Sequence, residues 1–404
     1  MSKKYYMKKN YSLYGLPEKI EYCKKCVISN QRPNSAVEYR NISNQKIGIK
    51  IDNGICEACD YNSVKKVIDW KKREKELIRL LSKYKKKIGY DVVVPGSGGK
   101  DSAFTAHVLK YKYGMNPLTV TWAPHLYTDI GRKNFENWSH IGGLDNLLFT
   151  PNGVLHRKLT QLAFKNLLHP FQPFILGQRI IGPLIASKFN IPLVMYGENQ
   201  AEYGNNIKEN YNSQMKEIFF SVNNIKSIHI GKVSIKEIMS RYKFRFNDFA
   251  PYTPLSINQI REKKIAVHYL GYYLKWDPQE CFYYASQNTG FMPNQERTEG
   301  SYSKYSSIDD KIDPFHYYTT YIKFGIGRAT YDASQEIRND KITREEGVEL
   351  VKKYDHEFPK KYFSKFLEYI NINEKEFWNL VDNFRSPHLW IKKNKKWSLK
   401  EKIK

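Results

Sequence analysis

Asp91-Val92-Val93-Val94-Pro95-Gly96-Ser97-Gly98-Gly99-Lys100-Asp101-Ser102 is the stretch that decides how the rest of this chain is read. Its first half is a short, apolar, β-branched run, the pattern of a strand buried on both faces. A glycine-rich turn follows, and then apolar residues at helical spacing: Ala103, Ala106, Val108 and Leu109. Glycines in such a turn let backbone N–H groups close around an oxyanion, and the helix amino terminus adds its partial positive charge. The turn is therefore a phosphate cradle. It is not a Walker A loop, which needs glycine where Val94 stands and Ser or Thr where Asp101 stands. An acid inside a phosphate cradle makes sense when Mg²⁺ arrives with the phosphates.

Outward from the loop the same rhythm repeats. Pro117–Trp122, Asn146–Phe149, Ile191–Gly197 and Ala266–Leu270 read as further strands, with helical spacing between them. That alternation predicts an α/β fold: a mostly parallel sheet with helices on both faces. Upstream, Cys23-x2-Cys26 and Cys56-x2-Cys59 each place two thiolates within reach of one metal. Together they complete a tetrahedral site with no open position, which marks a structural zinc ribbon. Turn-rich Asn41–Asn44 and Asp52-Asn53-Gly54 predict a short β-ribbon between the knuckles. Ser63–Lys87 reads as one amphipathic helix linking ribbon to sheet. Beyond Trp276 the chain is polar, aromatic and helical, with amphipathic pieces at Glu345–Tyr354 and Tyr362–Val381. The organisation expected is a zinc ribbon over 1–62, a linking helix over 63–88 and a nucleotide-binding α/β domain over 89–275. A mainly helical substrate- or partner-binding region over 276–404 completes it.

At 404 residues the chain has room for two or three domains, and 41% hydrophobic with 26% charged residues is a globular composition. Lys and Arg number 66 against 41 Asp and Glu, a net +25 that suits anionic partners. Met1–Tyr6 is basic, but no apolar segment follows as in a secretory signal. No run reaches the roughly 18 apolar residues that a membrane helix needs. A soluble, cytoplasmic protein is expected. Cys281, outside the ribbon, lies in Pro278-Gln279-Glu280-Cys281-Phe282 and lacks the Gly-x-nucleophile-x-Gly elbow. It reads as a buried structural thiol, so no glutaminase is visible in the chain.

Ser97-Gly98-Gly99-Lys100-Asp101-Ser102 resembles the Ser-Gly-Gly-x-Asp-Ser signature of the PP-loop ATP pyrophosphatases. Those enzymes cleave ATP between the α and β phosphates and adenylylate a substrate oxygen. The resemblance narrows with the cysteine ribbon, Tyr196-Gly197-Glu198-Asn199 and Glu202-Tyr203-Gly204. It narrows further with the late block Lys323-Phe324-Gly325-Ile326-Gly327-Arg328-Ala329-Thr330, Asp332-Ala333-Ser334, Glu336-Ile337-Arg338 and Ile342-Thr343-Arg344-Glu345-Glu346-Gly347. Across residues 20 to 355 the chain is similar to the N-acetyl sugar amidotransferases of bacterial surface-polysaccharide clusters.

The resemblance implies conversion of a sugar acetamido group to acetamidino, on O-antigen (lipopolysaccharide) mannuronic acid derivatives or flagellin-type pseudaminic acids. The route runs through an adenylylated imidate and releases AMP and pyrophosphate. It implies ATP, Mg²⁺ and structural Zn²⁺, with an acidic N-acetylated sugar, free or nucleotide-linked, as acceptor. Ammonia comes from a separate glutamine amidotransferase (glutaminase) subunit, with a cyclase-like subunit alongside, and neither nucleic acid nor a membrane span is expected. The alternative is a tRNA-modifying PP-loop enzyme, a thiolase or lysidine-type ligase. Against it, relatives with an iron–sulfur cluster use further cysteines, typically three, and only Cys281 remains.

The expected roles are these. Backbone N–H groups of Gly98, Gly99 and Lys100, with the Ser97 and Ser102 hydroxyls, bind the β- and γ-phosphates. Lys100 and Arg179 neutralise the α-phosphate, and Asp101 places Mg²⁺. Thr121 and Trp122 border the adenosine, as ligands do at the carboxyl ends of parallel strands. Gly197 and Glu198 end the fourth strand on the same rim, Glu198 orienting metal or substrate. Lys323, Arg328 and Arg338 hold a sugar carboxylate or phosphate. The catalytic set is Asp101, Lys100 and Glu198, and Cys23, Cys26, Cys56 and Cys59 hold zinc.

Overall fold

The computed structural model describes residues 11–203 and 211–404; Met1–Tyr6 and Gly204 lie outside the described residues. Val92–Pro95 (β1), Pro117–Trp122 (β2), Asp145–Phe149 (β3), Leu193–Tyr196 (β4) and Ala266–Tyr269 (β5) form one sheet in the order β3-β2-β1-β4-β5. Every pairing in it is parallel. The expected α/β sheet is therefore present, with its strands close to the stretches read from sequence. The fourth starts later than Ile191 because Ile191 turns back to bond Ala186 and Pro192 has no N–H to give. Strand order reverses between β1 and β4, and the crevice beyond their carboxyl ends is where such sheets bind ligands.

The alternation within β1 explains how both faces are covered. Val93 joins Leu176, Ile180, Ile181 and Ala186 of helix Gln172–Phe189 on one side. Val92 and Val94 point the other way, onto Ala103, Ala106 and Leu109 of helix Lys100–Tyr111 and Ala285 of helix Pro278–Asn288. All three valines are fully buried, each worth about 1.5–3 kcal/mol of transfer free energy.

Three local expectations need correction. The linking helix is two helices, Glu57–Lys65 and Trp70–Tyr84, because Asp69 caps the second by accepting from Lys72 N at 3.0 Å. Tyr362–Val381 is likewise split into Phe363–Ile370 and Glu374–Asn383, where Asn371 takes φ 49° and Asn373 caps the second helix. Between the knuckles the ribbon shrinks to a hairpin of Ile51–Asp52 with Ile55–Cys56, turned by Asn53 and Gly54 at positive φ. Cys59 then lies on the helix Glu57–Lys65.

The late helices Asp313–Phe324 (α1 of the C-terminal region) and Arg328–Arg338 (α2) roof the crevice. Phe315 and Ile322 of α1 share one core with Val93 of the sheet and with Phe366 and Phe377 further on. The cysteine segment packs on the same region, Val27 against Ala333 and Val348, and the cysteines against Ile326. The described residues of the cysteine segment, the sheet domain and the C-terminal region are thus joined through common cores. The chain closes with a hairpin, Trp390–Lys393 with Lys396–Leu399, that the sequence reading does not contain. Among the described residues, no helix is long and apolar enough to cross a membrane.

Candidate active site

Past β1 the backbone turns sharply, with Gly96 N donating to Val120 O at 2.9 Å. Gly98 has φ +81°, and a Cβ there would lie 2.9 Å from Asn134 O and Phe135 Cα. Only glycine fits. Gly99 is the N-cap of helix Lys100–Tyr111 and offers no side-chain cap, which leaves first-turn amides for an anion. Ser102 Oγ donates to Gly99 O at 3.0 Å, bracing the turn from inside. Lys100 Nζ pairs with Asp101 Oδ2, while Asp101 Oδ1 is buried without a hydrogen-bond partner among the described residues.

Across the switch point, Gly197 lies against Trp276; a Cβ would come within 2.9 Å of Cη2. Glu198 follows into the cleft and accepts a hydrogen bond from Tyr203 Oη. Burial, and then the charge of Asp101, push the Glu198 carboxyl up to about 7, against the pull of Lys100. Two facing acids, one with an orphaned oxygen, form a donor set that a divalent cation would satisfy. Asp101 and Glu198 thus fit Mg²⁺.

The cleft has a volume of about 640 Å³. Val120 and Trp122 line it, and Thr121 between them turns to the opposite face, where its Oγ1 accepts from Asn146 Nδ2 at 3.0 Å. Strand alternation therefore turns Thr121, expected beside Trp122 on the cleft wall, away from the cleft and leaves Trp122 lining it. Trp122 packs on Phe149 and Tyr252, in space opened by Gly177, where a Cβ would lie 2.2 Å from the indole. Arg179 lines the same wall, and its carbonyl accepts from Tyr196 Oη at 3.1 Å. Ser97 faces an adjoining cavity of about 130 Å³, shared with Gly99, Lys100 and Asp101, and bonds Asp309.

Arg328, the first residue of α2, is the late basic residue that reaches both cavities. Its Nε lies 3.0 Å from Asp332 Oδ1, and its guanidinium sits 4.6 Å from the Tyr317 ring centre. Asp313 shares this pocket, its carboxyl pushed up to about 7 by burial against the pull of Arg328. Asp355 fixes where α2 begins, accepting from Gly327 N at 2.9 Å and Thr330 N at 2.8 Å.

Lys323 and Arg338 are not brought to the cleft. Lys323 is buried beneath α1, donating to Leu167 O at 3.1 Å, and burial and the charge of Lys46 bring its ammonium down to about 7. Arg338 ends α2, about 15 Å along the axis from Arg328. Its Nη2 donates to Glu202 O at 2.7 Å, and its Nη1 lies 3.9 Å from Cys26 Sγ. It serves as counter-charge to the cysteines.

The sulfur atoms of Cys23, Cys26, Cys56 and Cys59 all lie within 4.8 Å of one another, and each residue is buried. Cys26 and Cys56 are 3.6 Å apart, near the ~3.8 Å edge of a tetrahedron with 2.3 Å metal–sulfur bonds. The set fits zinc. Cys281 is buried apart from it, and burial raises its thiol well above the ordinary value. It is no poised nucleophile.

Residues 299–404 match the family model of the WbpG-like LPS biosynthesis proteins, C-terminal domain. This WbpG-like region holds α1, α2 and the whole late block from Lys323 to Gly347, so the likeness to surface-polysaccharide (LPS) biosynthesis proteins read from that block is borne out. No curated protein matches the chain. Among solved structures, the NH3-dependent NAD synthetase from Campylobacter jejuni is 16% identical with a TM-score of 0.26, over 34% of this chain and 59% of that one. A predicted subunit of tRNA methyltransferase from Methanocaldococcus jannaschii is 17% identical, TM-score 0.26, over 52% and 80%. NMN synthetase from Francisella tularensis is 13% identical, TM-score 0.28, over 70% and 96%. Scores this low carry no functional weight; the fold assignment rests on the sheet order and the loop.

Sequence reasoning missed Arg32, Asp309 and Asp313, all of which line the cleft beside the WbpG-like helices. No periodic motif marks them. The signals available were weak: Arg32 in the turn-like Asn30-Gln31-Arg32-Pro33, and Asp313 before a proline that opens a helix.

Proposed function

We propose that this protein is an ATP-dependent amidotransferase of lipopolysaccharide synthesis that exchanges the acetamido oxygen of an acidic N-acetylated sugar for nitrogen. The observation that carries the reading is one cleft with the Ser-Gly-Gly-Lys-Asp-Ser loop on one side and Arg328 of the WbpG-like region on the other. An amide carbonyl is a poor electrophile, so its oxygen must first become a leaving group. Attack of that oxygen on the α-phosphorus of ATP gives an O-adenylyl imidate and pyrophosphate; ammonia then adds and AMP departs, leaving the amidine.

The loop amides and Ser102 hold the leaving pyrophosphate, and Lys100 with Arg179 meet the charge that grows on the α-phosphate. Mg²⁺ bound by Asp101 and Glu198 would neutralise phosphate charge. Trp122 offers an apolar surface to the adenine side of the cleft, and Arg328 faces the acceptor. The described cysteines are all buried, and none sits in a nucleophile elbow. That supports ammonia delivered by a separate glutaminase chain.

The test incubates the protein with ATP, Mg²⁺, ammonium chloride and a panel of N-acetylated acidic sugars. Mass spectrometry should find a product in which O is replaced by NH, with AMP and pyrophosphate formed in equal amounts. Glutamine alone should give nothing. AMP formation that depends on added tRNA would replace this reading with a tRNA-modifying one.

A further inference from the structure

Arg32 comes from the loop between the cysteine knuckles, yet it lines the ATP-side cleft together with Ser35 from the same loop. Its side chain is 7% exposed. The guanidinium lies 5.7 Å from the centre of the Tyr331 ring on α2, and Nη1 is buried with no hydrogen-bond partner among the described residues. No carboxylate among the described residues pairs with it, whereas Arg328 is held by Asp332 and Arg297 by Glu357. The backbone that carries it is rigid. Arg32 N donates to Ser29 O at 3.2 Å, Ile49 N donates to Arg32 O at 2.9 Å, and Gln31 beside it is clamped by Pro17 O and His388.

A buried guanidinium that is held in place and left short of acceptors is costly unless a ligand completes it. The group that completes an arginine fork is an oxyanion with two oxygens to offer. The phosphates of ATP have their own donors in the loop amides, Lys100 and Arg179 on the sheet side. Arg32 stands instead with Tyr331 and Gln335 of α2, on the side of the cleft roofed by the WbpG-like helices. We propose that Arg32 anchors the carboxylate of the acceptor sugar, so that the cysteine segment forms one wall of the acceptor pocket. This rests on the amidotransferase reading, which supplies an acidic acceptor, and it gives the metal cluster a task in recognition. Zinc bound by the four cysteines would hold the loop that holds the anchor.

The experiment measures binding to the full chain, loaded with a non-hydrolysable ATP analogue and Mg²⁺, by calorimetry. Three probes separate the sources of negative charge: N-acetylglucosaminuronic acid, neutral N-acetylglucosamine, and UDP-N-acetylglucosamine, which carries a diphosphate on a neutral sugar. The wild type should bind the acid more tightly than the neutral sugar. Arg32→Gln should lose about tenfold for the acid and nothing for the neutral sugar, and Arg32→Lys should recover part of the loss because charge survives without the fork. Unchanged zinc content and unchanged affinity for the ATP analogue show that both variants are folded. A loss confined to the UDP-sugar would assign Arg32 to a diphosphate and overturn the carboxylate anchor. Equal binding of acid and neutral sugar by the wild type, or a preference that survives Arg32→Gln, would also overturn it. If the preference depends on Arg32 but no acceptor yields AMP, the amidotransferase reading falls and the anchor stands.

Discussion

The wall of the cleft built by Gly96–Ser102 and the wall built by Arg32, Asp313 and Arg328 handle charge by different means. On the loop wall the donors are backbone amides at the end of β1, held by glycines whose missing side chains let Asn134 and Ser102 close in. On the facing wall every charged group is a side chain whose direction depends on another side chain: Tyr331, about 300 residues on, for Arg32, and Asp332, one helical turn on, for Arg328, with Asp355 fixing the start of α2. A backbone site is encoded where it stands. A side-chain site is encoded wherever its supports happen to lie, for Arg32 in a helix about 300 residues further along the chain. The first kind tolerates little local change; the second can be retuned by distant packing.

That contrast can be broken or sharpened by substitution. The largest effect is expected at Asp101, where Asp101→Asn keeps shape and removes the charge that faces Glu198. Pyrophosphate release should fall by about 10³-fold with the circular dichroism spectrum intact; wild-type turnover would separate the loop acid from the chemistry.

A middle-sized effect, on stability alone, is expected at Lys323. Its ammonium is lowered from the usual 10.5 to about 7 in the fold. Between those values the unfolded chain holds a proton that the native state has released, so stability rises with pH across the window and is lost as pH falls through 7. Relative to Lys323→Met, the wild type should gain about 2 kcal/mol between pH 7 and 9 in urea unfolding. The variant should keep its acceptor affinity, since the side chain faces Leu167 O rather than the cleft. A loss of acceptor binding would return Lys323 to the site.

The smallest effect belongs to Thr121. Thr121→Val takes one bond from Asn146, which keeps its 2.9 Å bond to Thr119 Oγ1. The KM for ATP should stay within about twofold, as for a residue outside the ligand's reach. A tenfold rise would put adenosine on the Thr121 face of β2 and overturn its placement beside Trp122.

Legibility followed the same division. Strand-then-helix alternation, the Ser-Gly-Gly-Lys-Asp-Ser turn and the two Cys-x2-Cys pairs are local patterns, and each stands in the structure close to where the residues point. Amphipathic spacing runs on through Val67 and Ile68 and reads as a single linking helix, while the break is marked only by Asp69, the one-residue cap that starts the second helix. Lys323, Arg328 and Arg338 looked alike as basic residues of one block. A turn of helix and the length of α2 send one under the roof, one into the cleft and one to the cysteines.

By itself the sequence determined the chemistry available: a phosphate cradle with an acid inside it, a parallel sheet to carry that cradle, and four thiolates at metal spacing. These depend on residue type and short spacing, which the chain states directly. Only the tertiary structure decided which charges meet. Strand alternation took Thr121 out, and the packing of α2 over the crevice brought Arg328 in. The docking of the cysteine loop against α2 carried Arg32 to the cleft. Those outcomes depend on distances between segments far apart in the chain, and no local pattern records them.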